Sequence, residues 1–134
     1  MKLYVDTNIF LDFLLERKNK DGKDISAPAQ KLFYRAMQCE FFLVYSDHTA
    51  TELNKVCSGE HIRMMFEFLK KKIVTITKSP EDIFEAQKLS STNFSDALHA
   101  VLAKKSGADY VVTRNTKDFK EFFLYVKSRT PENI

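Results

Sequence analysis

Five positions carry side chains that could do chemistry together: Asp6 after the apolar run Leu3-Tyr4-Val5, Glu52 in "SDHTATELNKV", Asp96 after "SSTNF", and Asn115 with Asp118 behind "DYVVT". Most of them lie just after an apolar run of strand length or in the first turns of a helix. Ligand sites in open α/β sheets form at the carboxyl ends of strands. Carboxylates gathered there repel one another, and their pKa values rise unless something positive sits among them. A divalent cation is the simplest such group, and an oxygen-rich set with few histidines favours Mg²⁺ or Mn²⁺ over Zn²⁺. Taken singly, each residue has an ordinary role: Asp6 as a helix cap, Asp96 as an acid at a helix dipole, Glu52 as a solvated helix residue, Asp118 as a turn acid. The recurrence of acids at equivalent places is what points to a site.

The neighbours of these residues are less informative. Asn8, two residues past Asp6, is placed to hold that carboxylate's orientation. Asp12, one turn further, reads as a surface acid. His48, His61 and His99 are scattered and read as packed or solvent-exposed rings, although His99 lies one turn after Asp96. Arg114, Lys117 and Lys120 form a late basic cluster, as Lys70 to Lys72 and Lys104-Lys105 do at helix ends, where the macrodipole favours them. With 3 glycines the chain has neither a GxxxxGK nor a GxGxxG loop, which argues against nucleotide-dependent chemistry. No local Ser-His-Asp or Cys-His motif is present.

The elements that must position the acids alternate in type. "LYV" is a buried strand, and Thr7 is a possible cap for a helix with Ile9, Phe10, Phe13 and Leu14 on one face. "ERKNKDGKDISAP" reads as a loop, with Pro28 opening a second helix through Leu32, Phe33 and Ala36. "FFLVYS" is a strand followed by a helix that Asp47 could cap. Ser58-Gly59 separates that helix from the next, which carries Ile62, Met65, Phe66 and Leu69 and runs into the strand "IVTIT". Ser79-Pro80-Glu81-Asp82 starts a further helix, and another runs from Phe94 towards Gly107. "DYVVT" is a strand, "NTKDFKEFF" a short helix or turn, and "LYVKS" a last strand. Such alternation predicts an α/β domain with a parallel sheet covered on both faces.

The 134 residues are expected to form a single domain over 1–134. A hydrophobic fraction of 44% is ordinary for a packed globule, and no apolar run reaches the ~20 residues of a membrane span. The start lacks the order of a secretory signal, so a cytoplasmic protein without a membrane partner is expected. Cys39 and Cys57 have no ligand spacing and read as buried free thiols. A net charge of +3 is a mild excess that does not by itself establish a polyanion partner.

Four segments, "YVDTNIFLD", "SDHTATELNKV", "FSDALHAVLAKKSGADYVVTRNTKDF" and "VKSRTPENI", make the chain resemble the PIN-domain nucleases, and among them the VapC-type toxins of toxin–antitoxin pairs. The resemblance implies a three-layer α/β/α sandwich with a central, mostly parallel sheet. It also implies Mg²⁺- or Mn²⁺-dependent hydrolysis of RNA, a homodimer and a small antitoxin partner. It places Asp6, Glu52 and Asp96 at the catalytic and metal positions, with Asn115 and Asp118 near a second ion and Asn8 and Thr113 as supporting groups. Arg114 and Lys117 would then hold substrate phosphates. Where this family commonly has an Asp directly after the Thr-Arg pair, the chain has Asn115. That departure keeps open an alternative, a degenerate PIN-like module that binds RNA or protein and does not cut.

Overall fold

A computed structural model describes all residues, 1–134. Five short strands form one sheet: β1 (Lys2–Val5), β2 (Phe42–Ser46), β3 (Ile73–Ile76), β4 (Tyr110–Val112) and β5 (Lys127–Arg129). Seven helices join them: α1 (Thr7–Leu15), α2 (Ser26–Met37), α3 (Asp47–Asn54), α4 (Gly59–Leu69), α5 (Pro80–Leu89), α6 (Phe94–Ser106) and α7 (Thr116–Phe119). The sheet order is β3-β2-β1-β4-β5 and every pairing is parallel, so all strand carboxyl ends lie along one edge.

Strand side chains alternate between faces, and here the alternation divides the core in two. Leu3 and Val5 of β1, Leu43 and Tyr45 of β2 and Val112 of β4 pack with α1, α2 and α4 through Ile9, Phe10, Leu32, Phe33 and Met65. Tyr4, Val44 and Val111 point the other way, onto α5 and α6 through Ala86, Ala97, Leu98, Val101 and Leu102. Two helical layers around one sheet give the three-layer α/β/α sandwich. No helix is long and apolar enough to cross a membrane.

Helix starts differ in detail from the sequence expectation. Asp6, not Thr7, is the N-cap of α1, and Ser46, not Asp47, caps α3 by accepting from the Thr49 amide. The second helix begins at Ser26, because Asp24 Oδ1 accepts from both the amide and the hydroxyl of Ser26 and stabilises the turn before Pro28. The α5 helix starts at Ser79-Pro80 as expected, and Ser79 and Asp82 form a reciprocal capping box on it. Gly107, at φ 75, ends α6 in the left-handed conformation that glycine adopts without steric cost. Both cysteines are free; Cys57 is buried, whereas Cys39 is exposed, contrary to the sequence reading.

Candidate metal centre and its hydrogen-bonded surround

The carboxyl edge of the sheet collects the acids. Asp6 ends β1, Glu52 lies in α3 behind β2, Asp96 is in the first turn of α6, and Asn115 and Asp118 cap and occupy α7 behind β4. Asp6 is only 5% exposed. Burial, the largest influence, raises its pKa and the Glu52 charge adds to this, against the opposing pull of His99 and of the Thr113 hydroxyl. Thr113 Oγ1 donates to Asp6 Oδ2 at 2.8 Å and accepts from the Asn115 amide at 3.0 Å. Asn8 makes no hydrogen bond to Asp6, so the role expected of it falls to Thr113. Asp96 is half-buried, and its pKa is raised by burial and then by the charges of Asp6 and Asp118.

Glu52 is set differently. Its Oε1 accepts from Thr7 Oγ1 at 2.6 Å and from His99 Nε2 at 2.7 Å, and its Oε2 accepts from Ser95 Oγ at 2.9 Å. Burial works to raise its pKa, but the His99 hydrogen bond and charge and the Thr7 bond outweigh it and bring the value down to about 2. His99 is 1% exposed. Burial opposes its charge; Tyr4, Glu52 and Asp6 together reverse this and raise its pKa, the carboxylates being the physical cause because a phenol is neutral near pH 7.

One proton assignment satisfies every partner in the surround. His99 is an imidazolium whose Nε2 donates to Glu52 and whose Nδ1 donates to Tyr4 Oη at 2.7 Å. Tyr4 then donates to Ser46 Oγ at 2.7 Å, and Ser46 to Thr49 Oγ1 at 3.1 Å. His48 is neutral, burial and then the His99 charge holding its pKa down at about 4; its Nε2 donates to Ser95 Oγ at 3.0 Å. No buried side-chain nitrogen or oxygen lacks a partner.

His48, Glu52 and His99 present donor atoms all within 4.8 Å of one another, a cluster capable of coordinating a divalent metal. Both histidines read from the sequence as packed or solvent-exposed rings, whereas here they meet at Glu52. The spacing signal was present: His48 lies four residues before Glu52 and His99 three after Asp96, so each shares a helix face with an acid. Two donor sets therefore meet at Glu52, the histidine pair on one side and the carboxylates Asp6 and Asp96 on the other. Asp6 feels the charges of Glu52 and His99, and Asp96 those of Asp6, Asp118 and His99; burial is the largest influence raising both carboxyls, and the neighbouring carboxylates add to it. Hard oxygen donors with excess negative charge fit a divalent cation such as Mg²⁺ or Mn²⁺.

The basic residues expected to face substrate divide. Lys117 is exposed and forms no ion pair. Arg114 instead turns inward: Nε and Nη2 donate to Asp12 Oδ2 and Oδ1 at 2.6 and 3.1 Å. Asp12, read from the sequence as a surface acid, is 1% exposed, with Arg17 a further 3.9 Å away. The pair ties α1 to the loop that carries Thr113 and Asn115.

Comparisons with known proteins bear on the fold and the family. One chain of the crystal structure of VapBC2 from Rickettsia felis bound to a promoter DNA fragment is similar in fold, with a TM-score of 0.65 and 18% identity, over 97% of this chain and 98% of that one. One chain of VapBC-1 from nontypeable Haemophilus influenzae gives 0.61 and 16%, over 98% and 99%. No curated protein matches. The sequence-family model of the PIN domain matches residues 2–117, and the chain belongs to that family.

Proposed function

We propose that the chain is a metal-dependent endoribonuclease, the toxin of a toxin–antitoxin pair. The observation that carries this reading is the set of acids at the sheet's carboxyl edge, where Asp6 feels the charge of Glu52 and Asp96 feels those of Asp6 and Asp118. Membership of the PIN-domain family and the fold likeness to chains of VapBC complexes support it. Asp6 and Asp96 hold Mg²⁺ or Mn²⁺, with Glu52 contributing through Oε2, the oxygen with only one hydrogen bond. When bound, the ion supplies a water of lowered pKa and offsets charge on the phosphate oxygens. Glu52, tied to Thr7, His99 and Ser95, would orient the attacking water, and Asp6 and Asp96 would fix the ion against the phosphate. Asn115 and Asp118 stand where a second ion would enter, and the neutral Asn115 weakens that position. Thr113 supports Asp6, and Lys117, with the outer face of Arg114, holds flanking phosphate. By the same likeness we propose a homodimer, a small antitoxin that covers the acidic edge, and a cytoplasmic setting.

The test is cleavage of end-labelled single-stranded and hairpin RNAs with Mg²⁺, Mn²⁺, Zn²⁺ or EDTA, beside Asp6→Asn. Cutting that needs Mg²⁺ or Mn²⁺ and is lost in the variant supports the oxygen-set centre. Cutting with Zn²⁺ alone would move the ion to His48 and His99. A folded, metal-binding protein that cuts nothing favours the second reading, a binding module whose Asn115 leaves the centre incomplete.

A further inference from the structure

A groove of about 850 Å³, walled by β4, β5 and the α7 turn, lies beside the acidic cluster. Its cationic residues are Lys120, Lys127 and Arg129, and none of the ten residues lining it is an acid. None of the three cations is in an ion pair, although the chain forms nine such contacts elsewhere. Lys127 and Arg129 project from the same face of β5 because they are two residues apart. The Arg129 guanidinium lies over the Tyr110 ring at 4.2 Å, which fixes it as a flat cationic platform. Phe123, on the rim, is 62% exposed, costly for an aromatic ring that serves only packing.

The groove joins the acidic edge directly. The Thr113 amide donates to the Arg129 carbonyl at 3.0 Å, and the Thr113 hydroxyl holds Asp6. Thr116 and Phe119 of the groove follow Asn115 and Asp118 by one residue each. A chain of phosphates crossing the acids would run on over the cations.

We propose that this groove binds single-stranded RNA, taking the nucleotides that flank the bond to be cut. Lys120, Lys127 and Arg129 contact successive phosphates, and Phe123 stacks an unpaired base. An exposed ring offers its face only to a base freed from a duplex, which selects single strands over helices. The assignment rests on the ribonuclease reading for the identity of the polymer.

The experiment measures anisotropy of a fluorescein-labelled, mixed-sequence single-stranded RNA in EDTA across a salt series. The proteins are wild type, Lys120→Ala with Lys127→Ala, Phe123→Ala, and a control with Lys70→Ala and Lys71→Ala at the far edge of the sheet. All five positions are exposed, and circular dichroism confirms folding. Losing two phosphate contacts should flatten the slope of log affinity against log salt by about 1.4. Phe123→Ala should weaken binding at least about fivefold with the slope unchanged. The control should match wild type. Equal losses in the control, unchanged binding in both groove variants, or a wild type that holds a polyglutamate peptide and not RNA would each overturn the proposal. Because EDTA removes cleavage from the measurement, the two readings separate. Groove-dependent binding without cleavage in any metal ion removes the nuclease alone, and cleavage indifferent to the groove variants removes the groove alone.

Discussion

Arg114→Ala separates the stability role of the Asp12–Arg114 pair from a substrate role. Asp12 is 1% exposed and takes two hydrogen bonds from Arg114, at 2.6 and 3.1 Å; its next cation, Arg17, is 3.9 Å away. Truncating one partner of a buried pair costs ~3–5 kcal/mol because the other is left charged and dry. Arg17 can recover part of the loss, which puts Arg114→Ala near ~3 kcal/mol. The reverse change is cheaper. Asp12→Ala leaves an arginine about one-third exposed, free to swing into water, and should cost ~1 kcal/mol. The more exposed residue of the pair is thus the more damaging one to remove. For a chain this long ~3 kcal/mol lowers Tm by roughly 10 °C. Urea unfolding of both single variants and the double variant measures the two costs and their coupling. A cost below ~1 kcal/mol for Arg114→Ala, or an equal cost for Asp12→Ala, would refute the argument that Asp12 is held by charge compensation.

Asp6→Asn should abolish divalent-dependent RNA cleavage and at the same time raise Tm in EDTA, since it removes a buried carboxylate whose pKa burial has raised; a fall in Tm would count against that picture. Saturating Mg²⁺ or Mn²⁺, at about 100 times the dissociation constant, should stabilise wild type by ~2.7 kcal/mol and leave Asp6→Asn unmoved in a thermal-shift assay. Glu52, with its pKa lowered from 4.5 to about 2, adds stability that is complete above pH 4.5 and lost as pH falls through 2. Its partner His99, raised, adds stability that is complete below 6.5 and lost at alkaline pH. Stability of wild type relative to Glu52→Gln should therefore be a plateau with both flanks falling, and a difference that grew below pH 4 would reverse the assignment.

The strand–helix alternation was readable because β1 to β4 are short apolar runs, whereas β5, Lys-Ser-Arg, is polar and lies at the tail of the apolar run expected to form it. The sheet edge therefore followed from the order of elements alone. What the sequence did not reveal depends on pairings across more than 40 residues. Thr7, Ser95 and His99 converge on Glu52 from two other helices. Asp12 reads as a surface acid because its partner lies 102 residues away and no local pattern separates a buried acid from a solvated one. Tyr4 looked like one more apolar strand residue, yet its hydroxyl links the imidazolium to Ser46. Asn8, by contrast, sat at the expected spacing and lost its role to Thr113, whose strand neighbours β1 only in the folded sheet.

The hydrogen bond between Thr113 and Asp6 spans 107 residues, and β1 has a neighbour made early, β2, and one made late, β4. At ~5–20 residues per second, about 5 to 20 s separate the synthesis of the two residues on the ribosome. During that interval Asp6 has no Thr113 to hold it, and Glu52 waits for His99. The acidic edge is therefore complete only once β4, the last central strand, has docked beside β1. On the ribonuclease reading proposed above, a partner that silences the edge has the interval before β4 docks in which to arrive.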